Sequence, residues 1–393
     1  MGQRPNFSQK GSRHLYDLVI VGAGVWGSSA ALSALRQGAK SVLLLEADIG
    51  AAQRTSAKSG GIVTDLIWHP HDRQLVARSR LLFQEAAEGA GDAHLWQAAG
   101  MLTLGGPRQA ALFSARRAEL SERSIAVALM DRTGLQHQFP ALDRLADDTI
   151  ALYTPQDWHV NPTAYAVQAV SAARRLGLEV RMATPVRRLE VLADSVTVHL
   201  ADQDPVSAAR VLVCAGTWSR QLLRTAGVDI ALRPYRTQLS SVRFGRPHDL
   251  PIVWHLDTDL YLVPEGGQDM LAGDGTESVE SDPESFRQAG DADFLASVAE
   301  RIVDLTSRGD GAGIRTAWAG LCGATPDRRP LLGRLAPHLY CACGDQGIGV
   351  MRGPALGELA AAVALEHTEV PELDPLRFAA ADFPIRGGFT LEA

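Results

Sequence analysis

The stretch Tyr16 to Asp48, YDLVIVGAGVWGSSAALSALRQGAKSVLLLEAD, constrains this chain more than any other. It reads as a strand, a glycine turn, a helix and a second strand. Asp17 to Val21 is a short apolar run, as expected of a parallel strand buried on both faces. Gly22, Gly24 and Gly27 complete G-x-G-x-x-G where the strand must turn into a helix, with Ala23, Val25 and Trp26 between them. The first glycine permits the tight turn, the second lets backbone approach a pyrophosphate, and the third lets helix pack closely on strand. The helix N-terminus then offers N–H groups and partial positive charge to phosphate. Ser41 to Leu45 is the second strand, and Glu46, followed by Ala47, comes 19 residues after Gly27. That is the place for a carboxylate accepting hydrogen bonds from an adenosine ribose. The ordered set points to dinucleotide binding and leaves NAD and FAD both open.

A second loop of small residues, Arg54 to Val63, follows directly. Its Thr55, Ser56, Ser59, Gly60, Gly61 and Ile62 bring hydroxyls and backbone amides within reach of a phosphate or planar ring, and they are expected to touch the cofactor. Trp68-His69-Pro70-His71-Asp72 contains His-x-His, but no further ligands converge, so it reads as a solvated loop and no metal is expected. Helices are expected over Arg73 to Ala90 and Gln109 to Glu122. Asn161 as N-cap, Pro162 at the first helical position and Gly177 as C-cap bound another helix. Strands are expected at Leu178–Met182, Pro185–Val191, Ser195–Leu200 and Val211–Cys214, the last ending in Ala215-Gly216 where backbone must approach something closely. From about 225 to 314 the pattern alternates, with a hairpin turning at Glu265-Gly266-Gly267 and a helix from Pro283 to Leu305.

Near the far end a strand, Leu339 to Cys343, leads into Gly344-Asp345-Gln346-Gly347-Ile348-Gly349-Val350-Met351 and a helix from Ala355 to Leu365. A helix N-terminus aimed at a ring that gains negative charge on reduction stabilises the reduced form. A flavin has such a locus and a nicotinamide does not, so this unit favours FAD.

At 393 residues two domains are the default. The net charge of −7, without a long basic run, disfavours nucleic acid as a partner. The polar start has no apolar core of a signal sequence, and no run is long enough to span a bilayer. The four cysteines lack zinc or disulfide-framework spacing. A cytoplasmic enzyme without a membrane partner is the expectation, with residues 1–14 as a flexible leader.

With Cys214-Ala215-Gly216-Thr217-Trp218-Ser219, Trp318-Ala-Gly-Leu321, Thr325-Pro-Asp-Arg-Arg-Pro-Leu-Leu-Gly333 and the last glycine loop in hand, the chain resembles the FAD-dependent D-amino-acid oxidases, glycine oxidases and sarcosine oxidases or dehydrogenases. The resemblance covers four ordered blocks: 22–46, 55–62, 211–219 and 318–358. It implies an α/β fold: a Rossmann-like FAD-binding domain of the glutathione-reductase kind, with a second, mostly antiparallel β-sheet plus helices as substrate domain. The expected segments are 15–80, 150–225 and 315–393 for FAD, and 81–149 with 226–314 for substrate. The implied reaction oxidises the C–N bond of an amine or amino acid by hydride transfer to flavin N5. Hydrolysis of the imine follows, and O2 or another acceptor reoxidises the flavin.

The resemblance also implies Val186 beside the adenine, Ala215, Gly216 and Trp218 in the middle block, and Gly344 to Met351 over the flavin. Tyr261 matches a substrate-pocket tyrosine. After Trp318-Ala-Gly-Leu the amino-acid and glycine oxidases carry an arginine that grips the substrate carboxylate; this chain has Cys322. Non-covalent FAD is the default expectation, with a covalent link through Cys322 as the alternative. Arg352 could replace the missing arginine, and His69, with His71, His255 and Asp257, is a further pocket candidate. Two other readings stay open: a flavin subunit of a multi-chain dehydrogenase or a homo-oligomer, and a dinucleotide-binding module without turnover.

Overall fold

Leu18–Val21 is fully buried because it runs through the middle of a six-stranded sheet. In a computed structural model that describes residues 14–66, 70–91, 94–279 and 282–385, the spatial order is Glu179–Arg181, Val42–Leu45, Leu18–Val21, Val211–Val213, Leu339–Cys343 and Leu331–Ala336. Neighbours are parallel except the last pair, which is an antiparallel hairpin. Helices Val25–Arg36, Pro162–Arg175 and Gly349–Ala364 cover one face, closing a core that includes Ile20, Leu44, Leu212 and Leu356. A four-stranded sheet (Leu15–Tyr16, Val206–Ala208, Val196–Leu200, Val186–Val191) covers the other, over Val19, Leu43, Val198, Cys341 and Cys343. Cover on both faces is why these strands read as unbroken apolar runs. Asn161 caps its helix as expected, accepting from the Ala164 N–H at 2.9 Å.

The second body is a nine-stranded sheet. Its strands run in the order Glu277–Val279, Arg233–Arg243, Asp269–Gly273, Tyr261–Gly266, Ile252–His255, Met101–Gly105, Ile150–Thr154 and Ala128–Asp131, with Gly313–Ala324 also paired to Arg233–Arg243. Pairing is antiparallel except between Ile252–His255 and Met101–Gly105. Separate apolar clusters pack its two faces, one around Phe113, Leu152 and Ile252, the other around Leu102, Val253 and Phe294. Among the described residues no helix is long and apolar enough to cross a membrane.

Several boundaries differ from the sequence expectation. The helix expected from Pro283 begins at Ala292, because Ala289 bridges to Trp318 and Gly290 packs against Ala317. The last helix begins at Gly349, so Val350, Met351 and Arg352 are helical. Ile150–Thr154 and Gly313–Ala324 are strands of the large sheet, so expected boundaries at 150 and 315 pass through it. Helix Pro70–Ala90 crosses the expected boundary at 80 and packs on the last helix, where Arg78 meets Glu358 at 2.7 Å. His69, and the expected leader apart from His14, lie outside the described residues.

Candidate cofactor and substrate site

Four parallel strands end at Val21, Leu45, Val213 and Cys343, and the residues just beyond them open into one cavity of about 890 Å3. That volume is large for a ligand pocket, whose range is roughly 300–1,000 Å3. A crevice outside the carboxyl ends of parallel strands is where this kind of sheet binds ligands. The large sheet supplies the opposite wall through Met101, Tyr235, Trp254, Tyr261 and Cys322.

Gly22 sits at φ +103°, a conformation that L side chains rarely adopt, and a Cβ there would lie 2.5 Å from the Cys214 carbonyl oxygen. At Gly27 a Cβ would collide with the Gly22 carbonyl oxygen. Those two glycines allow helix Val25–Arg36 to start against the strand ends, and its first turn (Gly24, Val25, Trp26) faces the cavity. Glu46 is 9% exposed and lines the same space; its carboxylate accepts from the Ala23 N–H at 2.6 Å and the Asp48 N–H at 3.0 Å. Burial nevertheless pushes its pKa up. Ser56 Oγ accepts from the Val25 N–H at 3.3 Å, tying the small-residue loop to the glycine turn.

The expected cofactor residues gather here with few exceptions. Gly22, Gly24, Val25, Trp26, Glu46 and Ala47 line the cavity, as do Thr55, Ser56 and the run Ser59 to Ile62. So do Val186, Ala215, Gly216, Trp218, Gly344, Asp345 and the run Gly347 to Met351. Ala23 and Gly27 act one step back, the first through Glu46 and the second through packing on Gly22. Sequence reasoning passed over Arg54, Lys58, Thr184, Arg187, Tyr235, Trp254, Asp259 and Glu277, which also line it. For Arg54 and Lys58 a signal existed, since they belong to the same loop as Thr55 and Ser59.

At the far end, Tyr261 and Cys322 both face the cavity, and Gly273 is pressed against the Tyr261 ring. Burial first, then Cys322, Asp274 and Glu277, push the Tyr261 hydroxyl up. The Cys322 thiol is likewise pushed far up by burial and by Asp345, so it holds its proton. Asp345 is itself raised by burial, although its carboxylate accepts from the N–H groups of Gly323 at 2.7 Å and Gly347 at 3.2 Å. The Tyr235 hydroxyl is buried against Cys322 and, among the described residues, has no oxygen or nitrogen partner. Lys58 Nζ donates to the Ala319 carbonyl at 2.9 Å and to Gln288 Oε1 at 3.2 Å, and burial lowers its pKa.

Arg352 requires a correction. It does not line the cavity: its side chain is fully buried and pairs with Asp72 at 2.6 Å, on helix Pro70–Ala90. Because the last helix starts at Gly349, position 352 is directed into the helix interface, where its guanidinium also donates to the Asp345 carbonyl at 3.2 Å and so ties the glycine loop to that interface. His255 and Asp257 also fall outside the cavity lining; Asp257 is held by Arg108 and Gln109.

The residues present fit a dinucleotide. Both helix N-termini, at Val25 and Gly349, open on one continuous cavity, with a buried carboxylate beyond the second strand. The Trp218 indole N–H lines it without a hydrogen-bond acceptor among the described residues.

Comparison with known proteins agrees. Residues 17–363 match the family model described as FAD dependent oxidoreductase. Monomeric sarcosine oxidase of Streptomyces avermitilis is 26% identical over 93% of this chain and 98% of its own. Among solved structures, L-proline dehydrogenase from P. horikoshii superposes with a TM-score of 0.83 at 20% identity, covering 93% of this chain and 98% of that one. Glycine oxidase from Geobacillus kaustophilus gives 0.81 at 21% identity over 93% and 100%. These two structural likenesses speak to the fold.

Proposed function

The chain belongs to the family of FAD-dependent oxidoreductases, and on that premise we propose that it oxidises the C–N bond of a small amine or amino acid. The observation that carries this reading is the single cavity joining a dinucleotide cradle to a walled pocket lined by Tyr261, Cys322, Trp254 and Met101. In this reading Glu46 holds the adenosine ribose, and Gly22 to Trp26 lie against the pyrophosphate. Val186 sits by the adenine, while the loops at Thr55–Ile62 and Gly344–Met351 flank the flavin. Bound there, FAD would supply the hydride acceptor for the carbon bearing the amine and the route for its electrons to O2 or another acceptor.

The chain's own residues supply orientation and environment. Trp254, Leu239 and Met101 exclude water and favour the neutral, reactive form of the amine nitrogen. The Tyr261 hydroxyl, kept protonated, offers a donor and an acceptor to it. A protonated, buried Cys322 is a poor nucleophile, which supports non-covalent FAD. The expected sequel is release and hydrolysis of the imine. Four free, buried cysteines fit a reducing compartment, the cytoplasm. Anaerobic mixing of the FAD-loaded protein with amines tests the reading: bleaching of the flavin absorbance supports it, and a flavin that no amine or amino acid bleaches overturns it.

A further inference from the structure

Resting on that reading, the flavin end of the cavity holds a charge that opposes the last helix. The N-terminus of helix Gly349–Ala364 carries partial positive charge, which favours a ring that becomes anionic on reduction. Asp345, three residues before the N-cap Ile348, lines the cavity just ahead of that terminus.

Its carboxylate is fixed in place. It accepts from the Gly323 N–H at 2.7 Å and the Gly347 N–H at 3.2 Å, and the Cys322 thiol lies beside it. Arg352 holds the Asp345 carbonyl. The next residue, Gln346, is buried at φ +55°; its N–H donates to the Gly323 carbonyl at 3.0 Å, and its Oε1 accepts from the Thr325 N–H at 3.1 Å. A residue other than glycine persists at positive φ where its surroundings over-determine it. The loop is thus locked to strand Gly313–Ala324, and the carboxylate cannot swing away from the cavity.

The groups set against that carboxylate are neutral: two amides and a thiol. The amide donors favour the ionised form, against the opposing pull of burial, and they bring no counter-charge. Arg352, the guanidinium tied to this loop, is paired with Asp72, so its charge is already met.

We propose that Asp345 sets the reduction potential of bound FAD: its fixed carboxylate offsets the positive end of the last helix and lowers that potential. A negative charge there opposes the charge the ring gains on reduction. The oxidised form is favoured, and the reduced form gives up its electrons more readily. The expected effect is about tenfold in the equilibrium between the two forms, or about 30 mV for a two-electron couple.

The test compares FAD-loaded wild-type protein with Asp345→Asn, which keeps an acceptor for the Gly323 N–H, and with Asp345→Ser. Two readouts need no amine. One is the midpoint potential, from anaerobic titration against a reference dye. The other is the Kd for sulfite, which adds to flavin N5 and leaves the ring anionic. Both variants should raise the midpoint by about 30 mV, a tenfold change in the ratio of reduced to oxidised flavin, and bind sulfite several-fold more tightly. General loosening of the loop would not move both readouts in that direction. If only one variant holds FAD, its shift decides. A midpoint unchanged or lowered, or loss of FAD by both variants, overturns the role of Asp345 and leaves amine oxidation standing. Shifts as expected in a protein whose flavin no amine bleaches would overturn amine oxidation and leave Asp345 standing.

Discussion

Cys322 and Arg352 show how little a residue's place in the sequence says until its neighbours are known. Cys322 lies in the wall as its motif suggests, but its surroundings of Tyr235 and Asp345 make it a held thiol. Cys322→Ser should therefore leave the flavin fully extractable by acid; a flavin that stays with the wild-type pellet and leaves that of the variant would show a covalent link. Arg352 was legible only as a cation near a glycine loop. Its partner, Asp72, lies 280 residues away on another helix, and no local pattern announces that pairing. Removing the guanidinium strands a buried carboxylate, so Arg352→Met should destabilise the protein by about 3–5 kcal/mol in urea unfolding. Were it a substrate anchor instead, the apparent Kd for amine would rise with stability unchanged. Tyr235, Asp259 and Glu277 escaped sequence reasoning because they reach the cavity wall through the large sheet and its turns, from three separate stretches of chain.

Elements with strong local signals were read well: the first glycine turn, the helix capped by Asn161, and the five parallel strands of the six-stranded sheet; the antiparallel edge strand Leu331–Ala336 was not expected. Each is specified by its own residues. Gly22→Ala should cost about 1–3 kcal/mol, since it imposes a Cβ at positive φ against the Cys214 carbonyl, and should lower FAD occupancy of the purified protein. An alanine variant with full FAD content and wild-type stability would remove the turn from the account.

Where elements meet, the interactions are of long range. Asp157 accepts from the hydroxyls of Thr64 and Thr154 and from the Asp65 N–H, and pairs with Arg80 at 3.2 Å, joining three segments. Burial pushes its carboxyl up to about 6 despite those partners. From the ordinary aspartate value up to about 6, the native state keeps a proton that the unfolded chain has lost. This group's contribution to stability therefore falls as pH rises across that window, by on the order of 3 kcal/mol. Asp157→Asn should remove that fall, visible in urea midpoints at about pH 4 and pH 7. Equal pH slopes in the two proteins would contradict it.

At the scale of the molecule, two sheets face each other across one cavity, and the chain passes between them several times. Block order in the sequence led to the expectation of two bodies. The exact crossings at 150 and 315 were hidden, because Ile150–Thr154 and Gly313–Ala324 are apolar enough to suit either sheet and are assigned only by their pairing partners. The central claim is that the cavity holds FAD without a covalent bond. A visible spectrum of the purified, FAD-reconstituted protein before and after acid precipitation tests it most directly. The account predicts flavin absorbance that moves entirely to the supernatant. No flavin in either fraction would contradict the cofactor assignment, and colour retained in the pellet would contradict the role given to Cys322.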